Sequence, residues 1–208
     1  MQREEKIVIT GGNGFIGSFL VERLLSMGYK NVCVLDRRSK PWEQYLSPGS
    51  VVIHLACSIV PATAEVEVAK SAKEVFNSFH FINTCSNKKV KKFIFPSSGG
   101  TVYGNHSRKI FCESDPVHPE NRYGALKVAM EKNIVLSRLN HTILRISNPY
   151  GRKDLGKQLV GAVDIFLHHS LIDKPITIWG DGENVRDYIH IQDLIDFFVM
   201  AIESPSIS

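Results

Sequence analysis

Cysteine is scarce in this sequence and never closely paired. Four cysteines (Cys33, Cys57, Cys85, Cys112) lie about 25 residues apart, with no C-x-x-C pair. That pattern argues against a zinc site or a disulfide framework, and for reduced thiols in a cytoplasm. Histidine offers no metal pattern either. His168–His169 and His190 have no partner at ligand spacing, so no metal is expected. No apolar run approaches the ~18 residues of a membrane span. "MQREEK" is polar, and the "IVITGG" that follows is too short for a signal core. No membrane partner is expected. An excess of one charge is also missing: the formal net charge is only +4. The longest basic run, "KKVKK" at 88–92, precedes an apolar strand and reads as a solvated turn. No nucleic-acid footprint results.

What is present is enough apolar material for a core (43% of 208 residues) and a clear rhythm. Short β-branched runs alternate with helical patterns. Strands are expected at 6–10, 32–36, 50–56, 91–98, 142–147 and, briefly, 176–180 ("ITIWG"). Helices are expected at 14–28 (ending on a glycine cap), 65–87, 119–139, 156–171 and 191–203. Pro119 and Glu120 read as first-turn residues of the helix that carries Tyr123. Such alternation predicts an α/β fold, a parallel sheet covered on both faces. There are no internal repeats and no low-complexity tract.

One connection is unusually short. Only residues 37–50 separate the second strand from the third, and "SKPWEQYLSPGS" reads as loop. Fourteen extended residues span roughly 46 Å, enough for a crossover. An edge strand and a helix or two that usually stand here are lacking. The chain also stops soon after a helix, so a shortened version of a longer protein is expected.

"IVITGGNGFIGSFL" sets Gly11, Gly14 and Gly17 between a strand and a helix. The first permits a tight turn, the second lets a pyrophosphate approach, and the third lets the helix lie close to the sheet. The helix start then offers free N–H groups and a positive dipole end to phosphate. The second strand ends in Asp36, positioned to bind a ribose hydroxyl and to repel a 2′-phosphate. NAD is therefore the expected cofactor. Arg37 and Arg38 keep NADP open.

A second cluster follows. "FIFPSSGGTVYG" puts Ser97 and Ser98 past the carboxyl end of a buried strand, where ligands bind in open α/β sheets. Tyr123 and Lys127 share one helix face. Alone they would pass for a surface pair; beside a dinucleotide turn they read as one site. With "TGGNGFIG", "VIHLA", "YGALK", "LRISNPYG" and "IWGDGENVRDYIHIQDL", the chain resembles the extended short-chain dehydrogenase/reductase family, in particular its NAD-dependent sugar-nucleotide epimerases of the UDP-glucose 4-epimerase type.

The resemblance implies a Rossmann-like doubly wound parallel sheet, shortened between its second and third strands. Residues 1–150 would form the dinucleotide-binding domain. Residues 151–208 would be a truncated substrate lobe interleaved with it. Tyr123 would be the acid/base, Lys127 its partner and Ser98 the second hydroxyl, with Ser97 a rival. Gly11, Asn13, Gly14, Phe15, Ile16, Gly17, Asp36, Arg37, Leu55, Ala56, Asn77, Tyr123 and Lys127 would bind cofactor. Ser98, Asn148 and Arg186 would bind a UDP-sugar. Tyr103 would be structural. Helices 65–87 and 119–139 would pair in a homodimer.

The implied reaction is epimerisation at C4 through a transient 4-keto sugar. A cationic neighbour and an oxidised nicotinamide should both lower the Tyr123 pKa toward the working range. A 4,6-dehydratase needs a further acid and base where this chain has Gly99 and Gly100. A reductase, and a nucleotide-binding relative without turnover, stay open. His54 is expected to be a structural hydrogen-bonder, Trp179 to pack, and Asp193 to sit at a helix start.

Overall fold

The computed structural model describes residues 3–36, 38–39, 41–104, 110–154, 161–178 and 180–205. Five strands form one wholly parallel sheet: β1 (Ile7–Thr10), β2 (Val32–Leu35), β3 (Val51–His54), β4 (Lys92–Ser98) and β5 (His141–Ile146). Their order is β2-β1-β3-β4-β5. The switch in direction lies between β1 and β3, where Ile7 to Thr10 register against Val51 to His54. Ligands of open α/β sheets gather outside the strand ends at such a point.

Side chains alternate along the central strands and divide the core in two. Ile7, Ile9, Val51, Ile53 and Ile94 pack under α1 (Phe15–Ser26) and α6 (Ile191–Glu203). Val8, Val52, Phe93 and Phe95 pack under α3 (Val68–Asn87) and α4 (Arg122–Leu136). Each such fully buried side chain contributes about 1.5–3 kcal/mol from leaving water. Helix α1 ends as its glycine predicts. Gly28 takes φ +84°, its N–H bonds the Leu25 carbonyl at 3.0 Å, and the Tyr29 N–H reaches back to Leu24 at 3.1 Å. This is the paired-bond ending that a left-handed residue allows.

Several expectations need correction. Helix α4 begins at Arg122, after Asn121, so Pro119 and Glu120 precede it. The Asn121 side chain accepts the Gly124 N–H at 2.8 Å, and that cap sets the start. Residues 176–178 form no strand. The strand pairing there belongs instead to β6 (Asn148–Tyr150) and β7 (Tyr188–His190), a separate two-stranded parallel sheet. Apolar composition made this stretch resemble a strand, but among the described residues no neighbour supplies ladder bonds to 176–178. Of the helix expected at 156–171, α5 (Ala162–Leu171) is seen; residues 155–160 and Trp179 lie outside the described residues. A short helix, α2 (Pro61–Ala64), was not expected. The run at 88–92 is not wholly solvated. Lys92 is 3% exposed, and its ammonium donates to the Ser204 carbonyl at 2.9 Å.

The 37–50 connection is more than loop. Trp42–Tyr45 form a 3₁₀ turn that docks on α3, with the Trp42 and Phe81 rings 5.2 Å apart and edge to face. Strand β2 remains the edge of the described sheet. Among the described residues, no helix is long and apolar enough to cross a membrane.

Candidate active site

The turn after β1 is built by close approach. A Cβ at Gly11 would lie 2.8 Å from the Ala56 backbone nitrogen, and one at Gly17 would lie 2.4 Å from the Gly11 carbonyl oxygen. Neither position tolerates a side chain. Gly14 differs: its Cβ would meet only the Gly11 carbonyl, at 3.2 Å, and Gly14 lines the open cleft. No side chain caps α1 and no acidic residue occupies its first turn. The N–H groups at Asn13, Phe15 and Ile16 thus stand at an uncompensated helix start, suited to phosphate.

From this turn a cleft of about 1010 Å³ runs past Gly11, Gly14, Asp36, Leu55, Ala56 and Asn77. These six expected cofactor residues are brought together from β1, β2, β3 and α3. Arg37 lies outside the described residues. The Asp36 carboxylate accepts the Arg38 N–H at 2.7 Å and the Ser39 N–H at 3.1 Å, and pairs with the Arg38 guanidinium at 3.2 Å. The Arg38 N–H bond chiefly, with the guanidinium and Ser39 helping, holds this carboxyl below its ordinary pKa. It is an anion, as ribose recognition needs. These features fit the adenosine diphosphate half of NAD.

The second cluster gathers where β4 ends against α4. Lys127 is 5% exposed; its ammonium donates to the Pro96 carbonyl at 2.9 Å and lies 5.6 Å from the Tyr123 ring centroid. Burial lowers the Lys127 pKa, while Cys57, Glu74 and Glu131 support its charge. The phenol behaves differently from expectation. Burial, reinforced by Cys57, pushes the Tyr123 pKa above its ordinary value. In the protein by itself, desolvation sets the direction of the phenol's shift.

The structure separates the two serines. Ser97 is 5% exposed and donates its hydroxyl to the Glu131 carboxylate. Glu131 also accepts from Arg145, at 2.9 Å for the shorter contact, and Arg145 donates to the Tyr103 hydroxyl at 2.9 Å. Ser97, Glu131, Arg145 and Tyr103 therefore form one largely buried network behind the site, with Arg145 partly exposed. Tyr103, stacked on Phe111, is structural as expected. The Ser98 hydroxyl makes no hydrogen bond among the described residues, which leaves it available. His54 is a buried structural group: its Nδ1 bonds the Thr10 hydroxyl at 2.8 Å. Burial first, and Lys127 second, push its pKa down to about 3.

Two of the three expected substrate residues, Asn148 and Arg186, do not line the cofactor cleft. The Asn148 amide donates to the Asp187 carbonyl at 2.8 Å, tying β6 to β7. Arg186 borders a smaller polar cleft of about 270 Å³ with Gly100, Thr101, Glu120 and Asn121. Sequence reasoning missed Trp42, Ser58 and Glu74, which line the cofactor cleft. It also missed Glu131, although spacing offered a signal, since Glu131 follows Lys127 by one helical turn.

A parallel sheet with a glycine turn at its switch point, an acidic residue after β2 and a half-buried tyrosine beside a buried lysine after β4 define a nicotinamide-dinucleotide α/β protein. Comparison with known proteins makes this specific. The sequence profile of the NAD dependent epimerase/dehydratase family matches residues 7–207, and the chain belongs to that family. The family comprises NAD-dependent sugar-nucleotide epimerases, dehydratases and reductases.

The chain is 34% identical to the dTDP-4-dehydro-6-deoxyglucose reductase of Escherichia coli, covering 97% of this chain and 73% of the relative. It is 29% identical to a putative UDP-glucose 4-epimerase of Methanocaldococcus jannaschii, covering 94% and 73%. Among solved structures, the UDP-glucose 4-epimerase of Thermotoga maritima with UDP-glucose matches at a TM-score of 0.83 and 31% identity, covering 96% and 74%. The alignment to the reductase runs over 235 positions, more than the chain's 208 residues. It therefore passes over segments of the relative that this chain lacks, in keeping with the short 37–50 connection. The expected NAD dependence is that of the family.

Proposed function

We propose that this protein epimerises a UDP-hexose at C4 through a transient 4-keto sugar. The observation that carries this reading is the setting of Ser98, Tyr123 and Lys127 beside two glycines. A Cβ at Gly99 would lie 2.9 Å from the Arg145 carbonyl oxygen, so no side chain fits there. Elimination of water would need a further acid and base at that place. Epimerisation needs one proton-transfer group and a hydride carrier.

Bound NAD would supply a hydride acceptor and donor for the sugar C4, and its oxidised ring would add a positive charge. In this reading Tyr123, as phenolate, takes the proton of the 4-hydroxyl as that hydride leaves. It gives the proton back when hydride returns, so the proton and both electrons end where they began. Ser98 donates to the same sugar oxygen. Lys127 supplies the fixed positive charge that, with the cofactor's, offsets the burial of the phenol. Arg186 and the region from residue 151 onward hold the nucleotide diphosphate, with Asn148 keeping that region's small sheet in place. The exposed Phe76, Val135 and Leu136 on α3 and α4 support the homodimer as a second proposal.

The test is product analysis with NAD and UDP-glucose. An epimerase yields UDP-galactose with no net change in the cofactor. A reductase consumes reduced cofactor in proportion to product, and a dehydratase yields a deoxy-keto sugar; either outcome replaces this reading. Replacing Tyr123 by Phe should slow turnover roughly 10²- to 10⁴-fold without weakening NAD binding. Near wild-type turnover would remove the mechanism.

A further inference from the structure

We propose that Glu131 is a positioning residue for the reaction: its carboxylate clamps α4 to the end of β4 and keeps the Lys127 ammonium charged beside Tyr123. The inference rests on the reading of Tyr123 and Lys127 as the proton-transfer pair.

Lys127 and Glu131 stand one helical turn apart, so they share a face of α4. That face meets two successive residues of β4. The Lys127 ammonium donates to the Pro96 carbonyl at 2.9 Å, and the Ser97 hydroxyl donates to the Glu131 carboxylate. Arg145, the register partner of Ser97 on β5, closes the junction with contacts of 2.9 and 3.3 Å to the same carboxylate. One helix and two strands are thus pinned at a single side chain, one turn from the lysine that the reaction uses.

A buried ammonium needs more than a backbone carbonyl. Among the described residues Lys127 forms no ion pair, so its charge is supported from a distance. The titratable groups around it are His54 on β3, Cys57 beyond β3, Glu74 on α3, and Tyr123 and Glu131 on its own helix. Burial lowers the Lys127 pKa, against support from Cys57, Glu74 and Glu131. These three differ in kind. Cys57 is exposed and is an anion only once its thiol has lost a proton. Glu74 lines the open cleft, where water screens it, and takes the Ser58 hydroxyl at 2.6 Å. Glu131 is 5% exposed and has Arg145 as its ion-pair partner, and a charge so buried acts through a low dielectric. Glu131 therefore gives the ammonium its steadiest support. Without its proton, Lys127 would no longer favour the phenolate form of Tyr123.

The charge on Lys127 can be read by NMR without cofactor or substrate, so this test is separate from product analysis. In protein isotope-labelled at lysine Cε, the Lys127 signal is the one missing from Lys127→Met. Its titration midpoint should fall by about one pH unit in Glu131→Gln, which keeps the shape and removes the charge. Mere loosening of the junction would do the opposite, because hydration raises a buried lysine's midpoint. An unmoved or raised midpoint in Glu131→Gln therefore overturns the proposal. Glu131→Asp keeps the charge and should show a smaller fall; an equal fall also overturns it. Should Glu131→Gln not fold, combining it with Arg145→Gln leaves no charge stranded. The midpoint should fall there too, since Arg145 is held on Glu131 and Lys127 lies on that residue's own helix. An unmoved or raised midpoint in the double variant overturns the proposal in the same way.

Discussion

The Lys127 ammonium donates to the Pro96 carbonyl at 2.9 Å, two residues before Ser98. This bond fixes a buried charge from α4 against the last turn of β4, the segment that also presents the serine hydroxyl. Its position is therefore set by the backbone and not by a flexible partner. If Lys127 favours the phenolate form of Tyr123, removing its charge should raise the phenol's pKa further. Because the base form is the active one, the acid limb of the rate profile should move to higher pH in Lys127→Met. Lys127→Arg should restore part of the shift. A pH–rate profile of the NAD-loaded protein checks this, and an unmoved limb would assign Lys127 to structure only.

The glycine turn predicts two different failures from one chemical change. Gly17→Ala places a methyl 2.4 Å from a backbone oxygen and should destabilise the fold, read as a lower midpoint in urea. Gly14→Ala meets its nearest atom at 3.2 Å and should fold. Its methyl projects where phosphate must approach, so NAD affinity should fall. Calorimetry on the folded variant separates the two.

His54 makes stability depend on pH. Its folded pKa is about 3, against 6.5 for the free side chain. Between these values the unfolded chain binds a proton that the folded chain refuses. Stability contributed by neutral His54 is therefore complete above the higher value and is lost as pH falls toward the lower one. The slope from this group is at most about 1.4 kcal/mol per pH unit. His54→Asn, which does not titrate, should show a flatter loss across that window in urea unfolding.

Glu131 is 5% exposed and takes its direct ion pair from Arg145 at 2.9 Å, with Lys127 a second nearby charge. Arg145→Met should cost about 3–5 kcal/mol, because it strands a buried carboxylate. Adding Glu131→Leu should recover much of that loss. A double-mutant cycle in urea measures the coupling; simple additivity would show that the pair contributes no mutual stabilisation.

The sequence by itself determined the alternation of elements, the parallel sheet and the cofactor turn. Each follows from local pattern: continuously apolar β-branched runs, as strands covered on both faces need, helical spacing, and glycines at fixed intervals. Gly11, Gly14 and Asp36 were legible because such a turn and the end of the second strand call for them, whereas Leu55, Ala56 and Asn77 were reached only through resemblance to the family. Tertiary structure alone decided that Ser97 is engaged by Glu131 while Ser98 makes no hydrogen bond among the described residues. Adjacent residues on a strand point to opposite faces, and only packing tells which face holds the partner. The same is true of Tyr123, whose proton affinity is raised by burial that no spacing reveals, and of the false strand at 176–178. A strand needs a neighbour to complete its hydrogen bonds, and a titrating group responds to everything folded around it. Both are properties of long-range contacts.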